Sequence, residues 1–283
     1  MKWVARILGG LLAVIIVAAI ALYVASNRAI NAKHTFREYA VAIPSDSASL
    51  AQGEHIARLS CFGCHGDSLQ GQVFFDQPGI ARLIAPNAVE KIAGLSDAEL
   101  AGFMRSGVRK DGTSSFVMPP VGFYHISDQD LASLIAYLRT LPRAATPADL
   151  PSNSYGPMGR LGMAMGQFKT VAVLMDTTHE RVGADPAWAT SRHGEYLARV
   201  ICSNCHGVTL TGDPATPSPS IANAAGYSAE EFTTLLRTGT PRDTATKLTL
   251  MGDVARAELR HLTDGEIQSV YGFLKALPPA GVR

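Results

Sequence analysis

The phrase GEHIARLSCFGCHG (53–66) returns as GEYLARVICSNCHG (194–207). The two align without a gap at an offset of 141, and eight of the fourteen positions are identical. A chain built this way folds one structural unit twice, and every other feature has to accommodate that unit. The repeat also extends beyond the phrase. LSDAELAGFMRSGVRKD (95–111) corresponds to YSAEEFTTLLRTGTPRD (227–243), and HISDQDLASLIAYLRTLP (125–142) to HLTDGEIQSVYGFLKALP (261–278). In each pair a Ser or Thr precedes acidic residues and then an apolar run at helical spacing, which is how capped helices begin. Ser127 and Thr263 are the caps of the later pair, and Gly107 and Gly239 are placed to stop the earlier one. No alternating pattern of strand length stands out. The spacing therefore predicts an all-α chain, about three helices per unit joined by long loops. That is a thin framework for its length, so something else is expected to fill each core.

The N-terminus is of different material. Residues 7–25 read ILGGLLAVIIVAAIALYVA, nineteen residues without a charge. At about 1.5 Å per residue this run can cross a hydrocarbon layer of roughly 30 Å. Signal peptides have shorter apolar cores, of about 7–15 residues, so an uncleaved anchor is the better reading, although Val24-Ala25-Ser26 also resembles a cleavage site. Lys2 and Arg6 on one side face Arg28, Lys33 and Arg37 on the other, so charge alone leaves the orientation open. The expected organisation is an anchor at 1–26, a polar stalk at 27–47, a first unit at 48–143, a Pro/Gly-rich linker at 144–185 and a second unit at 186–283. Stalk and linker are expected to give the units reach while keeping them tethered.

Twenty-five basic and twenty-four acidic residues leave a net charge of +1 with no long run of one sign, which excludes a nucleic-acid surface and an acidic tail. The four cysteines, Cys61, Cys64, Cys202 and Cys205, all lie in the repeated phrase, each pair spaced C-x-x-C and followed by His65 or His206. No thiol remains for a disulfide framework. C-x-x-C-H is the attachment signature of c-type haem. Two thiols one helical turn apart add to two vinyl groups, and the adjacent histidine supplies a nitrogen to the iron. Zinc would need the two pairs near 15–20 residues apart, and a thioredoxin-like dithiol would need a βαβ context; neither is present. Two covalent haem groups are therefore expected.

A sixth ligand decides between carrier and enzyme, and a methionine there fills the site and raises the potential. Met118 in FVMPPVGF sits between the two later helices of the first unit, with Pro119 and Pro120 stiffening the backbone behind it. Met251 in LTLMGDVARAEL lies twelve residues past Gly239, against eleven from Gly107 to Met118, and is expected in a looser loop. Met104 reads as core packing, and His125 and His261 as structural residues near helix starts. Met158, Met163, Met165 and Met175 read as packing the linker over apolar surface.

On C-x-x-C-H, the distal methionines and a last helix ending L-x-x-L-P, the chain resembles the class I cytochrome c family, present twice. It is most similar to membrane-anchored di-haem cytochromes c of bacterial respiratory chains and of periplasmic alcohol or sugar-acid dehydrogenase complexes. The resemblance implies that the helix ending at Ser60 crosses the helix from Asp128, with Gly53, and Gly194 in the second unit, allowing close approach. It implies a haem pocket lined by Leu134, Tyr137 and Leu138, and by Val270, Phe273 and Leu274. It places the haem units on the periplasmic side of the inner membrane. The partners it implies are redox proteins: a dehydrogenase, a quinol-oxidising complex or a terminal oxidase. The function expected is electron carriage without a catalytic residue. The alternative is a di-haem enzyme, peroxidase-like or thiosulfate-oxidising, with an open iron in the second unit.

Overall fold

The computed structural model describes residues 2–118, 120–175, 181–183, 192–213, 218–246, 248 and 250–277. Pro119, the expected start of the second unit at 186 and the closing Pro278 lie outside the described residues.

Helix α1 (Lys2–Ile30) carries the apolar run, and its large side chains are exposed all round. In the first repeat, α2 (Ser47–Ser60) is capped by Asp46, whose side chain accepts from the Ser49 N–H at 2.9 Å. A short α3 (Phe62–His65) follows, then a hairpin of β1 (Gln72–Gln77) and β2 (Ala81–Ala85), then α4 (Ala88–Ile92) and α5 (Asp97–Ser106). Helix α6 (Asp128–Thr140) closes the repeat. Ser96 and Glu99 form the capping box of α5, and Gly107 ends it at φ 67°, as the sequence leads one to expect. The second repeat has α9 (His193–Leu197), α10 (Ser203–His206), α11 (Ala229–Thr238), α12 (Leu250–Ala257) and α13 (Asp264–Ala276). Ser228 with Glu231 and Thr263 with Glu266 form its capping boxes, and Gly239 ends α11 at φ 73°. Between the repeats run β3 (Ser154–Tyr155), α7 (Pro157–Ala164) and α8 (Val171–Leu174).

The same crossing organises both repeats. A Cβ at Gly53 would lie 2.0 Å from the Ser133 carbonyl oxygen, and one at Gly194 would lie 1.9 Å from that of Ser269. No side chain fits there, so α2 lies on α6, and α9 on α13, at backbone contact. Tyr137 and Phe273 bring their Cβ atoms to these crossings, while Leu134, Leu138, Val270 and Leu274 are buried.

The structure corrects the sequence reading in several places. The fold is mostly helical but not all-α, because β1, β2 and β3 make a three-stranded antiparallel sheet. A register shift between Val73 and Phe75 breaks the two-residue alternation that would have announced the hairpin. The polar segment after the apolar run is not a free stalk. Helix α1 continues to Ile30, and beyond it Tyr39, Val41 and Ile43 pack on the core at every second position. The Tyr39 N–H donates to the Ala98 carbonyl at 3.0 Å. Its hydroxyl donates to Asp128 at 3.0 Å, and Asp128 also pairs with Arg105 and Arg181. One carboxylate thus ties together the strap, α5, α6 and the linker. The linker, in turn, docks on the hairpin and on the loop after α5 of the first repeat. The Gly156 N–H donates to the Ile80 carbonyl at 2.8 Å, and the Val171 N–H to that of Ser115 at 2.7 Å. Met163 and Met175 pack inward as expected, whereas Met158 and Met165 face outward.

The buried apolar side chains of both repeats form one continuous cluster, from Ile56 and Leu134 in the first to Ile267 and Leu274 in the second. Polar pairs pin this junction. Tyr196 is buried; its hydroxyl donates to Asp130 and accepts from the Ser127 N–H at 3.0 Å. His55 meets Glu266 at 2.9 Å, with side-chain exposures of 22% and 14%. The hydrogen bond to Glu266 raises the His55 pKa above 6.5. Burial works against ionisation of Glu266, but the bonds from His55 and the Thr263 backbone outweigh it and hold its pKa below 4.5. The raised histidine stabilises the fold fully below pH 6.5 and loses its effect as pH rises through its folded value. The lowered carboxylate stabilises above pH 4.5 and fails as pH falls through its folded value. The pair is therefore strongest between these limits. In a double-mutant cycle of His55→Gln and Glu266→Gln, the coupling is expected at about 1.5 kcal/mol near pH 5.5 and to shrink by about pH 8.5. Denaturation midpoints at the two pH values measure it, and equal couplings would show that the histidine is not charged.

Candidate functional site

The C-x-x-C-H turns are built on the ends of the crossing helices. In the first repeat, α2 hands over to α3 through the Cys61 N–H to Ala57 carbonyl bond at 2.8 Å, and the His65 N–H reaches the Cys61 carbonyl at 2.9 Å. In the second, α9 widens into a π-helical turn at Ala198–Cys202 before α10, the kind of irregularity that recurs at functional sites. Glycines at φ 83° (Gly66) and 76° (Gly207) then reverse the chain. Three residues later Leu69 and Leu210 hold left-handed backbone at φ 54° and 62°, which is unusual for a branched residue. Both are buried, at 0% and 3% exposure, and burial of the leucine side chain offsets the backbone cost. Their carbonyls accept from Ala88 at 2.9 Å and Ile221 at 3.1 Å. The loop conformation is thus repeated along with the motif.

Each histidine meets a proline carbonyl. His65 Nδ1 lies 2.7 Å from the Pro86 oxygen, and His206 Nδ1 lies 2.7 Å from that of Pro219. A carbonyl only accepts, so each Nδ1 carries the proton and Nε2 keeps its lone pair for a metal. Burial lowers the His65 pKa, partly opposed by the Pro86 bond, which favours the neutral ring a ligand requires. Burial also pushes Cys61 and Cys202 up to about 12 and Cys64 to about 11, and raises Cys205. A redox dithiol works through a depressed thiol, so these pairs are poor candidates for that chemistry. Among the described residues no group of three or more His, Cys, Asp or Glu side chains is arranged to hold a metal ion. Paired thiols with a pre-set histidine fit a covalently attached haem.

The methionines differ between the repeats. Met118 is half-buried against the core, and its N–H donates to Ser115 Oγ at 2.8 Å, fixing the bend that holds it. Met251 is also half-buried against the core, but it stands in the first turn of α12 rather than in the expected loop. No proline follows it, so nothing stops helical backbone there, and the absence of a side chain at Gly239 gives α12 room to pack on the end of α11. A Cβ at Gly239 would lie 2.6 Å from the Gly252 oxygen. Met104 is buried at 4% exposure, as expected for core packing. His125 is buried with its Nδ1 accepting from the Val182 N–H at 3.3 Å, the structural part expected of it.

The two motifs face one junction. The 3₁₀ turn at Val121–Tyr124, just past Met118, lies on the second motif: the Val121 N–H donates to Asn204 Oδ1 at 3.3 Å, and a Cβ at Gly122 would lie 2.1 Å from the Val200 oxygen. Reciprocally, Glu258 just past α12 lies on the first motif, where a Cβ at Gly63 would meet its carboxylate at 2.2 Å. Burial raises the Glu258 pKa to about 7, and its charge in turn raises Cys61, Cys64 and Cys205. The Cys64 thiol also feels Cys205 across the junction.

Sequence reasoning did not find Glu258, the two prolines or the two strained leucines. The leucines had a signal, since G-x-x-L-x-G occurs in both GDSLQG (66–71) and GVTLTG (207–212). The prolines precede cap residues Asn87 and Ser220. They lie 21 and 13 residues beyond their histidines, because the first repeat inserts the β1–β2 hairpin, and that difference hid the match. Glu258 had no signal beyond being an acid in an apolar helix end.

Residues 50–142 match the cytochrome c family. Over 273 residues the chain is 26% identical to the cytochrome c subunit of the quinone-dependent alcohol dehydrogenase of Gluconacetobacter polyoxogenes, covering 83% of this chain and 57% of that protein. It is 23% identical over 272 residues to the fructose dehydrogenase cytochrome subunit of Gluconobacter japonicus, covering 81% and 53%. It is 26% identical over 275 residues to the gluconate 2-dehydrogenase cytochrome c subunit of Pantoea cypripedii, covering 82% and 60%. The chain thus spans little more than half the length of these relatives.

Because the contact at Gly122 is with backbone, neither side can yield by rotating a side chain. Gly122→Val is expected to cost about 1–3 kcal/mol, read as a lowered midpoint in thermal denaturation. An unchanged midpoint would mean the two repeats do not approach this closely.

Proposed function

We propose that this chain is a membrane-anchored di-haem c-type cytochrome, the electron-transfer subunit of a dehydrogenase complex, with two cytochrome c domains on the periplasmic side of the inner membrane. The observation that carries this reading is the repeated environment of the histidine: paired thiols, a protonated Nδ1 held on a proline carbonyl and an available Nε2, present once in each repeat. The relatives, cytochrome subunits of alcohol, fructose and gluconate dehydrogenases, support it.

In this reading Cys61 and Cys64 would tether one haem, and Cys202 and Cys205 the other. His65 and His206 would each offer a nitrogen to the iron, and Met118 and Met251 a sulfur. Bound haem iron supplies one-electron chemistry by cycling between two oxidation states. The protein's own residues orient and protect it. Pro86 and Pro219 fix the ring planes of the two histidines, and Leu134, Leu138, Val270 and Leu274 keep water from the interior. Two methionine-filled sites would leave no iron position for substrate, so the chain would carry electrons between partners rather than catalyse a reaction itself. The shared junction supports exchange of electrons between the repeats within one chain. Helix α1 runs without a break through Val24-Ala25-Ser26 and is long and apolar enough to span a bilayer. Ser26 is buried against Arg160, which favours an anchor over a cleaved leader.

One observation favours a second reading for the second repeat. Met251 is held in a helix, so its sulfur is less committed to the iron than that of Met118, and the site there would open to a small ligand as in a di-haem enzyme. Optical spectra separate the two. The carrier reading expects two covalent haems per chain by the pyridine haemochrome assay, falling to one in Cys202→Ala/Cys205→Ala, with both low-spin and no change on adding carbon monoxide. Binding of carbon monoxide by one haem of the unmodified protein would transfer the assignment to the enzyme reading.

A further inference from the structure

The linker between the repeats presents an apolar face that no described residue covers. Helix α7 turns Gly159 inward, where a Cβ would meet the Ile80 oxygen at 2.1 Å, and Gly162 lies under the partly exposed Phe168 ring, which a Cβ would approach to 2.5 Å. Its outward face carries Met158, Leu161 and Met165 at helical spacing, continued by Phe168, Val173 and Leu174 beyond it. These six side chains are between 37% and 63% exposed. Only two charges occur in residues 158–174, Arg160 and Lys169. Arg160 is turned away from water, donating to Ser26 Oγ at 2.9 Å and Asn27 Oδ1 at 3.3 Å and stacking 4.5 Å from the centre of the Tyr23 ring. An apolar face of this kind on a folded chain marks a contact surface.

Its position identifies what it contacts. Arg160 locks α7 onto the last turns of α1, at Tyr23, Ser26 and Asn27. These residues lie where the charge-free run of α1 ends and the first cation beyond it, Arg28, begins. In a helix that crosses about 30 Å of hydrocarbon, this is the level at which acyl chains give way to headgroups, where tyrosine is at home. Helix α7 packs on α1, so its apolar face lies at the level of that end of α1, where Tyr23 and Val24 are themselves exposed.

We infer that the α7–α8 segment is a second membrane contact, with Met158, Leu161, Met165, Phe168, Val173 and Leu174 seated in the interfacial layer of the bilayer beside the anchor. The inference rests on reading α1 as a membrane anchor. Its consequence is orientation. A single helix leaves a domain free to swivel, whereas a helix clamped by Arg160 to an interfacial patch, and by Gly156 and Gly159 to the first repeat, fixes the height and tilt of the haem units over the membrane.

The test uses the full-length, haem-loaded chain in lipid nanodiscs, with single spin labels at Met165→Cys and Leu174→Cys. Val14→Cys in the anchor and Gln268→Cys at an exposed position of α13 serve as references, and an unaltered haem spectrum confirms that each variant is folded. Accessibility to oxygen relative to an aqueous nickel chelate reports depth. The labels at 165 and 174 are expected to favour oxygen several-fold more than the label at 268, and less than the label at 14. If they match the label at 268 while the label at 14 is in lipid, the anchor stands and the second contact is overturned. If they are shielded from both reagents, a protein surface such as a second copy covers the face, and the inference is also overturned. If the label at 14 is itself open to the chelate, the anchor reading fails, and this inference with it.

Discussion

Two backbone contacts carry the architecture. Gly53 on Ser133 and Gly194 on Ser269 let a pair of helices cross where no side chain would fit, and each crossing aims the end of one helix into the core as a C-x-x-C-H turn. The rest of each repeat follows from that placement. The chain must reverse at Gly66 and Gly207, force a buried leucine into left-handed backbone, and return a proline carbonyl to the histidine. Strain that recurs at the same place in both copies, in a fold that otherwise obeys its local propensities, belongs to the site and not to chance.

The second constraint is that each repeat closes over the other's motif. The 3₁₀ turn beyond Met118 covers the second motif, and the end of α12 covers the first, so each repeat completes the enclosure of the other's cysteines. Tyr196 with Asp130 and His55 with Glu266 supply direction to a junction that apolar packing alone would leave loosely oriented. Glu258 sits at the edge of the first motif, and its raised pKa follows from burial at that place.

Local signals were legible and tertiary ones were not. Ser96, Ser127, Ser228 and Thr263 announce their helices, because a cap satisfies orphan amides within a few residues of itself. The hairpin at β1 and β2 escaped because its bulge breaks the alternation at Val73. The strap at Tyr39 to Ile43 read as a stalk because charges at Arg37 and Glu38 masked its two-residue pattern. Met251 read as a loop residue by analogy with Met118, and the structure puts it in a helix where no proline interrupts.

What the sequence determined by itself is the chemistry: two identical spacings of thiol, thiol and imidazole, and an apolar run long enough to cross a membrane. Attachment chemistry needs its groups within one helical turn, and a membrane span needs only length and apolarity, so both are written in contiguous residues. What only the tertiary structure decided is which Nδ1 meets which carbonyl, that the repeats close over one another, and that the linker folds back onto the end of α1. Those contacts join residues far apart in the chain, through backbone atoms and glycine surfaces that carry no side-chain signature.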